Sequence, residues 1–331
     1  MDYYLQYVLG WRGPSNKRAD IGTIAHKVLE ILAIAKKTLQ DGRKMFDDEI
    51  IGRMHANIHD GKLEKIIDKC FAYYTKEMSH HIWSLDDYNA VRSSVMKAIS
   101  YGGGIFDPRN RKIVAPELHF DITIDKPWSH YSYDFKGEKL EGQLALKGTI
   151  DLITEAEAGV YEVIDWKTGR RLNWATGEEK TQEKLKTDPQ LRIYHYALSK
   201  IYPEIEQILV TIFFINDGGP FTLCFTPSDL AYTEDMIKRK FEIIKSTTLP
   251  RLNKDWKCQK LCHQGKTSFE GTRVKSVNEF RRGQVCVEGQ PMTKCEQTKW
   301  AIEKAGIDMV TEKYMAPNHN IGHYKPPGSL E

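Results

Sequence analysis

Apolar residues recur every three or four positions in the first third of the chain and every second position in the middle. From Asp20 to Gln40, Ile21, Ile24, Val28, Ile31 and Leu32 fall on one face, which predicts a helix with Asp20 as its cap. Further helices are expected over roughly Leu63–His80 and Asp86–Ser100, before Gly102-Gly103-Gly104 breaks the pattern and Asp107-Pro108 turns the chain. Leu118, Phe120, Ile122 and Ile124 then alternate with polar residues, as in a half-buried strand. Leu144–Thr154 and Val160–Lys167 read as two strands of an antiparallel hairpin, turning near Glu157. Asp188-Pro189 opens a helix running to about Ile201, Ile208–Ile215 is a continuous apolar strand, Phe221–Thr226 is another, and Ser228–Ser246 is a long helix.

After Pro250 the chain turns polar, basic and cysteine-bearing, so the expected division is a core over residues 1–250 and an extension over 251–331. The net charge of +3 hides an uneven distribution: residues 236–304 carry 16 Lys and Arg against 7 Asp and Glu. Such a concentrated basic segment suits a polyanionic partner, although a solvated helix face with its loops accounts for it equally well. No apolar run approaches the ~18 residues of a membrane span. Met1–Trp11 lacks the basic-then-apolar layout of an export leader, so a cytoplasmic protein is expected. Of six cysteines, Cys70 and Cys224 sit in apolar patterns as core thiols, whereas Cys258, Cys262, Cys286 and Cys295 cluster late and point to a metal before disulfides.

The chemistry concentrates in Gly148-Thr149-Ile150-Asp151 and Ile164-Asp165-Trp166-Lys167-Thr168-Gly169. Strand alternation puts Asp165 and Lys167 on one face, with Ile164 and Trp166 turned into packing. A turn near Glu157 brings Asp151 opposite Val163, one pleat from Asp165. Two carboxylates and an ammonium on one patch are costly until a hard divalent cation joins them, and such a cation can polarise a phosphoryl oxygen. Taken alone, Asp-x-Lys reads more readily as a surface ion pair. Glu162 points away from Asp165 and is set aside. Gln190 and Tyr194, four apart, share one helix face.

In these motifs the chain resembles the PD-(D/E)XK nuclease superfamily, and within it the RecB-like branch of recombination nucleases, CRISPR-associated RecB-like exonucleases and phage relatives. Gly22-Thr23-Ile24-Ala25-His26-Lys27-Val28-Leu29-Glu30 is similar to the family's opening helix, and Gln190-Leu191-Arg192-Ile193-Tyr194 to its Gln-x-x-x-Tyr helix. The resemblance implies an α/β, restriction-endonuclease-like core with a mixed central sheet flanked by helices, followed by a cysteine-containing extension. It makes His26, Asp151 and Asp165 ligands of Mg²⁺ or Mn²⁺, Lys167 the residue that assists the attacking water, and Gln190 and Tyr194 positioning residues. Glu117, an acidic residue ahead of the first carboxylate motif, either joins the site or faces solvent.

Relatives resembling this chain hold a 4Fe–4S cluster with three C-terminal cysteines and one near the N-terminus. Here Tyr3, Tyr4 and Tyr7 occupy the N-terminal region, and no cysteine precedes His26. Either an upstream segment supplies the fourth thiolate, or Cys258, Cys262, Cys286 and Cys295 close a site unaided, which fits Zn²⁺ as well as iron–sulfur; His263 is a spare ligand. Lys257, Lys260, Lys266, Arg273, Lys275, Arg281 and Arg282 would follow a phosphate backbone, with Trp256 or Phe269 stacking on bases. The expected function is a metal-dependent deoxyribonuclease, an exonuclease on single strands or DNA ends in recombination or end-processing, of bacterial or phage origin. The alternative is a catalytically inactive DNA-binding subunit of a helicase or recombinase complex.

Overall fold

The change of period in the sequence marks the passage from a helical layer to a sheet. The computed structural model describes residues 1–316 except 12, 14, 136–137, 173–176, 206, 253–285, 288–289 and 292. Helix α1 (Lys17–Gln40) is followed by the two-residue strands β1 (Met45–Phe46) and β2 (Met54–His55), then by α2 (Asp60–Glu77) and α3 (Leu85–Ser100). The cap of α1 is Asn16, whose side chain accepts the Arg18 N–H. Asp20 lies in the first turn instead, where its carboxylate meets His81. The helix therefore starts three residues before the expected Asp20, because Lys17, Arg18 and Ala19 lengthen it by less than one turn without adding core contacts.

Strands β3 (Lys112–Thr123), β4 (His130–Phe135), β5 (Glu138–Gln143), β6 (Ala145–Glu157) and β7 (Val160–Lys167) come next. A short helix α4 (Gln182–Leu185) and helix α5 (Pro189–Ile201) lead to β8 (Gln207–Phe214), β9 (Gly219–Phe225) and α6 (Leu230–Ser246). The central sheet has five strands in the order β3-β6-β7-β8-β9. Only β7 and β8 run parallel, joined by the crossover through α5, so the sheet is mixed. The resulting α/β architecture is the restriction-endonuclease-like fold. Strands β4 and β5 form a separate antiparallel pair that is not among the elements expected from the sequence. Their half-exposed tyrosines and charged residues give no clean two-residue alternation.

Two apolar layers cover the sheet. Leu152, Ile164, Trp166 and Phe213 pack with α1, α2 and α3, while Ile153, Val163, Val210 and Ile212 pack with Leu191, Tyr194, Ala197 and Leu198 of α5. The β6–β7 hairpin pairs Ile153 with Val163 and Leu152 with Ile164. The same register carried one step on sets Asp151 in line with Asp165, not with Val163. The difference arises because the chain reverses through Ala158 and Gly159, the latter at φ +77°, with a bulge between Glu155 and Glu157. Cys70 is buried as expected, but Cys224 is exposed: on the edge strand β9 it is Leu223 and Phe225 that face the core. Glu162 is buried and accepts from Thr211 Oγ1 at 2.5 Å and from Arg111.

Contacts divide the chain into two compact units, Asn16–Ile244 and Met1–Ser15 with Lys245–Glu331. The boundary expected from composition lies at residue 250, with residues 1–15 in the core. In the second unit, Tyr4, Leu5 and Leu9 pack with Cys295, Ile302 and Val310, and Trp11 Nε1 donates to the Tyr314 carbonyl at 2.9 Å. Cys258, Cys262 and His263 lie outside the described residues, as do the side chain of Cys286 and the basic and aromatic residues assigned to a phosphate track between Trp256 and Arg282. No helix among the described residues is long and apolar enough to cross a membrane.

Candidate active site

The site forms where the β6–β7 ladder ends. Beyond Leu152 and Ile164 the two strands cease to pair, and the Trp166 N–H donates to Asp151 Oδ2 at 2.9 Å instead of to a backbone carbonyl of β6. A carboxylate thus takes the place of a ladder partner. On the other side of Asp151, β3 is irregular: Pro116 pairs with Leu152 and Leu118 with Ile150, leaving Glu117 across from Asp151 at φ +43°. A non-glycine residue there costs on the order of 1–3 kcal/mol, a strain that clusters at functional sites.

Each helical layer contributes side chains to this fork. From α1, His26 Nδ1 lies 3.5 Å from Asp151 Oδ2. Gly22, one turn earlier, allows α1 to approach β7: a Cβ at this position would stand 2.6 Å from Thr168 Oγ1. From α5, Gln190 Nε2 and Tyr194 O–H both donate to Asp165 Oδ1, at 3.0 and 3.2 Å, and Gln190 also donates to the Tyr194 oxygen at 2.7 Å. Asp188 places Gln190 on the first turn by capping α5 through the Gln190 N–H. Lys167 Nζ completes the group, donating to Asp165 Oδ1 at 3.0 Å.

Asp165 is 1% exposed. Its Oδ2 makes no hydrogen bond among the described residues, although Lys167 Nζ lies 2.7 Å away without the alignment a hydrogen bond needs. Burial raises the Asp165 pKa and the neighbouring Asp151 adds to the rise, with Lys167 pulling against both. Burial would also raise Asp151, but His26, Lys167 and the Trp166 amide outweigh it and hold this carboxyl below the usual range. The two carboxyls are driven apart, as expected for like charges in one desolvated pocket. Burial disfavours the His26 cation, yet Asp151 and Asp165 overcome it and raise the ring's pKa. Tyr194 is raised by burial and then by Asp165, so it stays a hydrogen-bond donor.

His26, Asp151, Asp165, Lys167, Gln190 and Tyr194 therefore come together. Glu117 shares a hydrogen bond with Glu30, one turn of α1 beyond His26, and burial together with that bond pushes the Glu30 carboxyl up to about 8. Lys27 bridges Glu30 and Asp48, at 2.8 and 3.1 Å. Glu30 is not among the residues expected at the site, although its i+4 spacing from His26 places it on the same helix face. Asp48 carried no local signal.

The donor set fits a hard divalent cation. Two adjacent carboxylates, one with a buried oxygen lacking a hydrogen bond among the described residues, and an imidazole nitrogen beside them are ligands such an ion accepts. The family model described as the PD-(D/E)XK nuclease superfamily matches residues 1–264. No curated protein matches the chain.

Proposed function

The chain belongs to the PD-(D/E)XK nuclease superfamily, and from that premise we propose that it is a metal-dependent deoxyribonuclease whose site is His26, Asp151, Asp165 and Lys167. The observation that supports this most directly is the buried Asp165 carboxylate, with Oδ1 held by Lys167, Gln190 and Tyr194 and Oδ2, beside Asp151, without a hydrogen bond among the described residues. In this reading His26, Asp151 and Asp165 hold Mg²⁺ or Mn²⁺. The bound ion supplies Lewis-acid polarisation of the scissile phosphate and lowers the pKa of a water.

The chain's own residues do the rest. Lys167, half-buried, presents an ammonium at the mouth of the pocket, where it orients the attacking water and offsets negative charge as the phosphorane develops. Gln190 and Tyr194 fix the direction of Asp165 Oδ1, so the carboxylate has little freedom to rotate away. The Trp166 amide does the same for Asp151. The substrate is read as DNA at single strands or ends, in recombination or end-processing. This finer reading rests on the RecB-like character of the four motifs and on the basic composition of residues 236–304.

End-labelled single- and double-stranded DNA, incubated with Mn²⁺ or Mg²⁺ and either wild-type protein or the Lys167→Ala variant, tests the proposal. Shortening of labelled strands by wild type, strongly slowed in the variant, is the expected result. Binding of DNA by both proteins with cleavage by neither would replace it with the inactive-subunit reading, and equal cleavage by both would remove Lys167 from the mechanism.

A further inference from the structure

The turn between α2 and α3 folds back on the first turn of α1. Lys17 Nζ donates to the Ile82 carbonyl at 2.5 Å and pairs with Asp87 at 2.6 Å. Lys17 also lies over the Trp83 ring, 5.6 Å from its centroid. Three residues further along α1, the buried Asp20 carboxylate meets His81 Nε2 at 2.7 Å. Successive side chains in an irregular segment usually diverge, but here the rings of His80 and His81 stay together, with centroids 4.1 Å apart. One ligand atom each from Asp20, His80 and His81 lies within 4.8 Å of the others.

We propose that Asp20, His80 and His81 form a second metal site, for Zn²⁺ or a similar first-row transition ion. Two imidazoles and one carboxylate are the ligands such ions select, whereas Mg²⁺ prefers oxygen and water. With metal–ligand bonds of ~2.0–2.2 Å, tetrahedral ligand atoms stand ~3.3–3.6 Å apart. Binding therefore requires the Asp20–His81 contact to open by less than about 1 Å and His80 to swing inward. His80 is exposed, on a turn, and can make that movement. Solvent completes the coordination. Lys17 does not oppose the ion strongly, because its charge is matched by Asp87. The site would fasten the 78–83 turn to the helix that carries His26 six residues later, roughly 9 Å along the axis, so its role is to steady α1 and not to take part in cleavage.

The full-length protein, stripped with a chelator and titrated with ZnCl₂, tests the site by calorimetry and by melting. Wild type should bind one more equivalent than His80→Ala or His81→Ala, and Zn²⁺ should raise the melting temperature of wild type more than that of either variant. Any Zn²⁺ taken by the cysteines or by the His26 site is common to all three proteins and cancels in the difference. With Co²⁺, the wild-type-minus-His80→Ala spectrum should show ligand-field bands without thiolate charge transfer. His80 is exposed, so its variant folds even where His81→Ala does not. Equal stoichiometry and equal melting shifts in wild type and His80→Ala would overturn the proposal.

Discussion

Asp151 Oδ2 accepts the backbone N–H of Trp166 at 2.9 Å, so one carboxylate both closes a gap in the sheet and faces the proposed metal position. The two duties separate by substitution. Asp151→Asn keeps an oxygen for the amide but loses the charge, and Asp151→Ala loses both. Cleavage should vanish in each. Only the alanine variant should also lose stability, by about 1–3 kcal/mol, because a buried N–H is left unsatisfied. Urea denaturation of the two variants beside wild type checks this; equal loss of stability in both would mean the amide is satisfied in another way.

Lys167 and Asp165 are joined in the same sense. Removing the ammonium by Lys167→Ala should lower the cleavage rate by about 10²–10³-fold, the usual effect of deleting a charge-stabilising donor. It should also change the pH profile. Lys167 pulls the Asp165 carboxyl down against burial, so without it Asp165 holds its proton to higher pH. The acid limb of the variant's residual activity with Mn²⁺ should therefore move to higher pH, and an unmoved limb would show that Asp165 ionisation does not limit the reaction.

Glu30 gives a stability prediction with a definite sign. Its carboxyl, ordinarily at 4.5, is pushed up to about 8 in the folded protein by burial and by the Glu117 hydrogen bond. The folded state therefore holds this proton more tightly than the unfolded chain does. The stabilisation is complete below the ordinary carboxyl value and is lost as pH rises through about 8. Glu30→Gln cannot titrate, so between about pH 5 and pH 9 wild type should lose melting temperature faster than the variant. Parallel melting curves across that range would contradict the assignment.

Gly22 is needed for close approach. An alanine there would place its Cβ 2.6 Å from Thr168 Oγ1, while the next Thr168 atom, Cβ, stands at an ordinary 3.8 Å. Gly22→Ala should cost about 1–3 kcal/mol by overpacking and should displace His26. Adding Thr168→Ala removes the clash and should restore both stability and cleavage. Failure of the double variant to recover would place the cost in the helix backbone.

The grouping of the candidate-site residues was legible in the sequence because its signals are local. Strand parity put Asp165 with Lys167 and away from Trp166, and helix spacing put Gln190 with Tyr194. Relationships between distant segments left weaker traces. Whether Asp151 faces Val163 or Asp165 turns on a single bulge near Ala156. The Glu30–Glu117 pair requires knowledge of which strand lies over α1. Asn16 went unnoticed as a cap because the apolar periodicity begins only at Ile21. The β4–β5 pair was missed because its pattern is mostly polar, so burial leaves little imprint on it.

The parallel pairing of β7 with β8 has a consequence for how the site is assembled. Every residue assigned to it, from His26 to Tyr194, precedes Gln207, yet β7 reaches its full set of neighbours only when Gln207–Phe214 aligns beside it, Asp165 against Ile212. A polypeptide ending after α5 would contain all the chemical groups and lack the strand that keeps two of them in place. Competence thus arrives late in the making of the molecule, with a segment that supplies none of the reacting atoms.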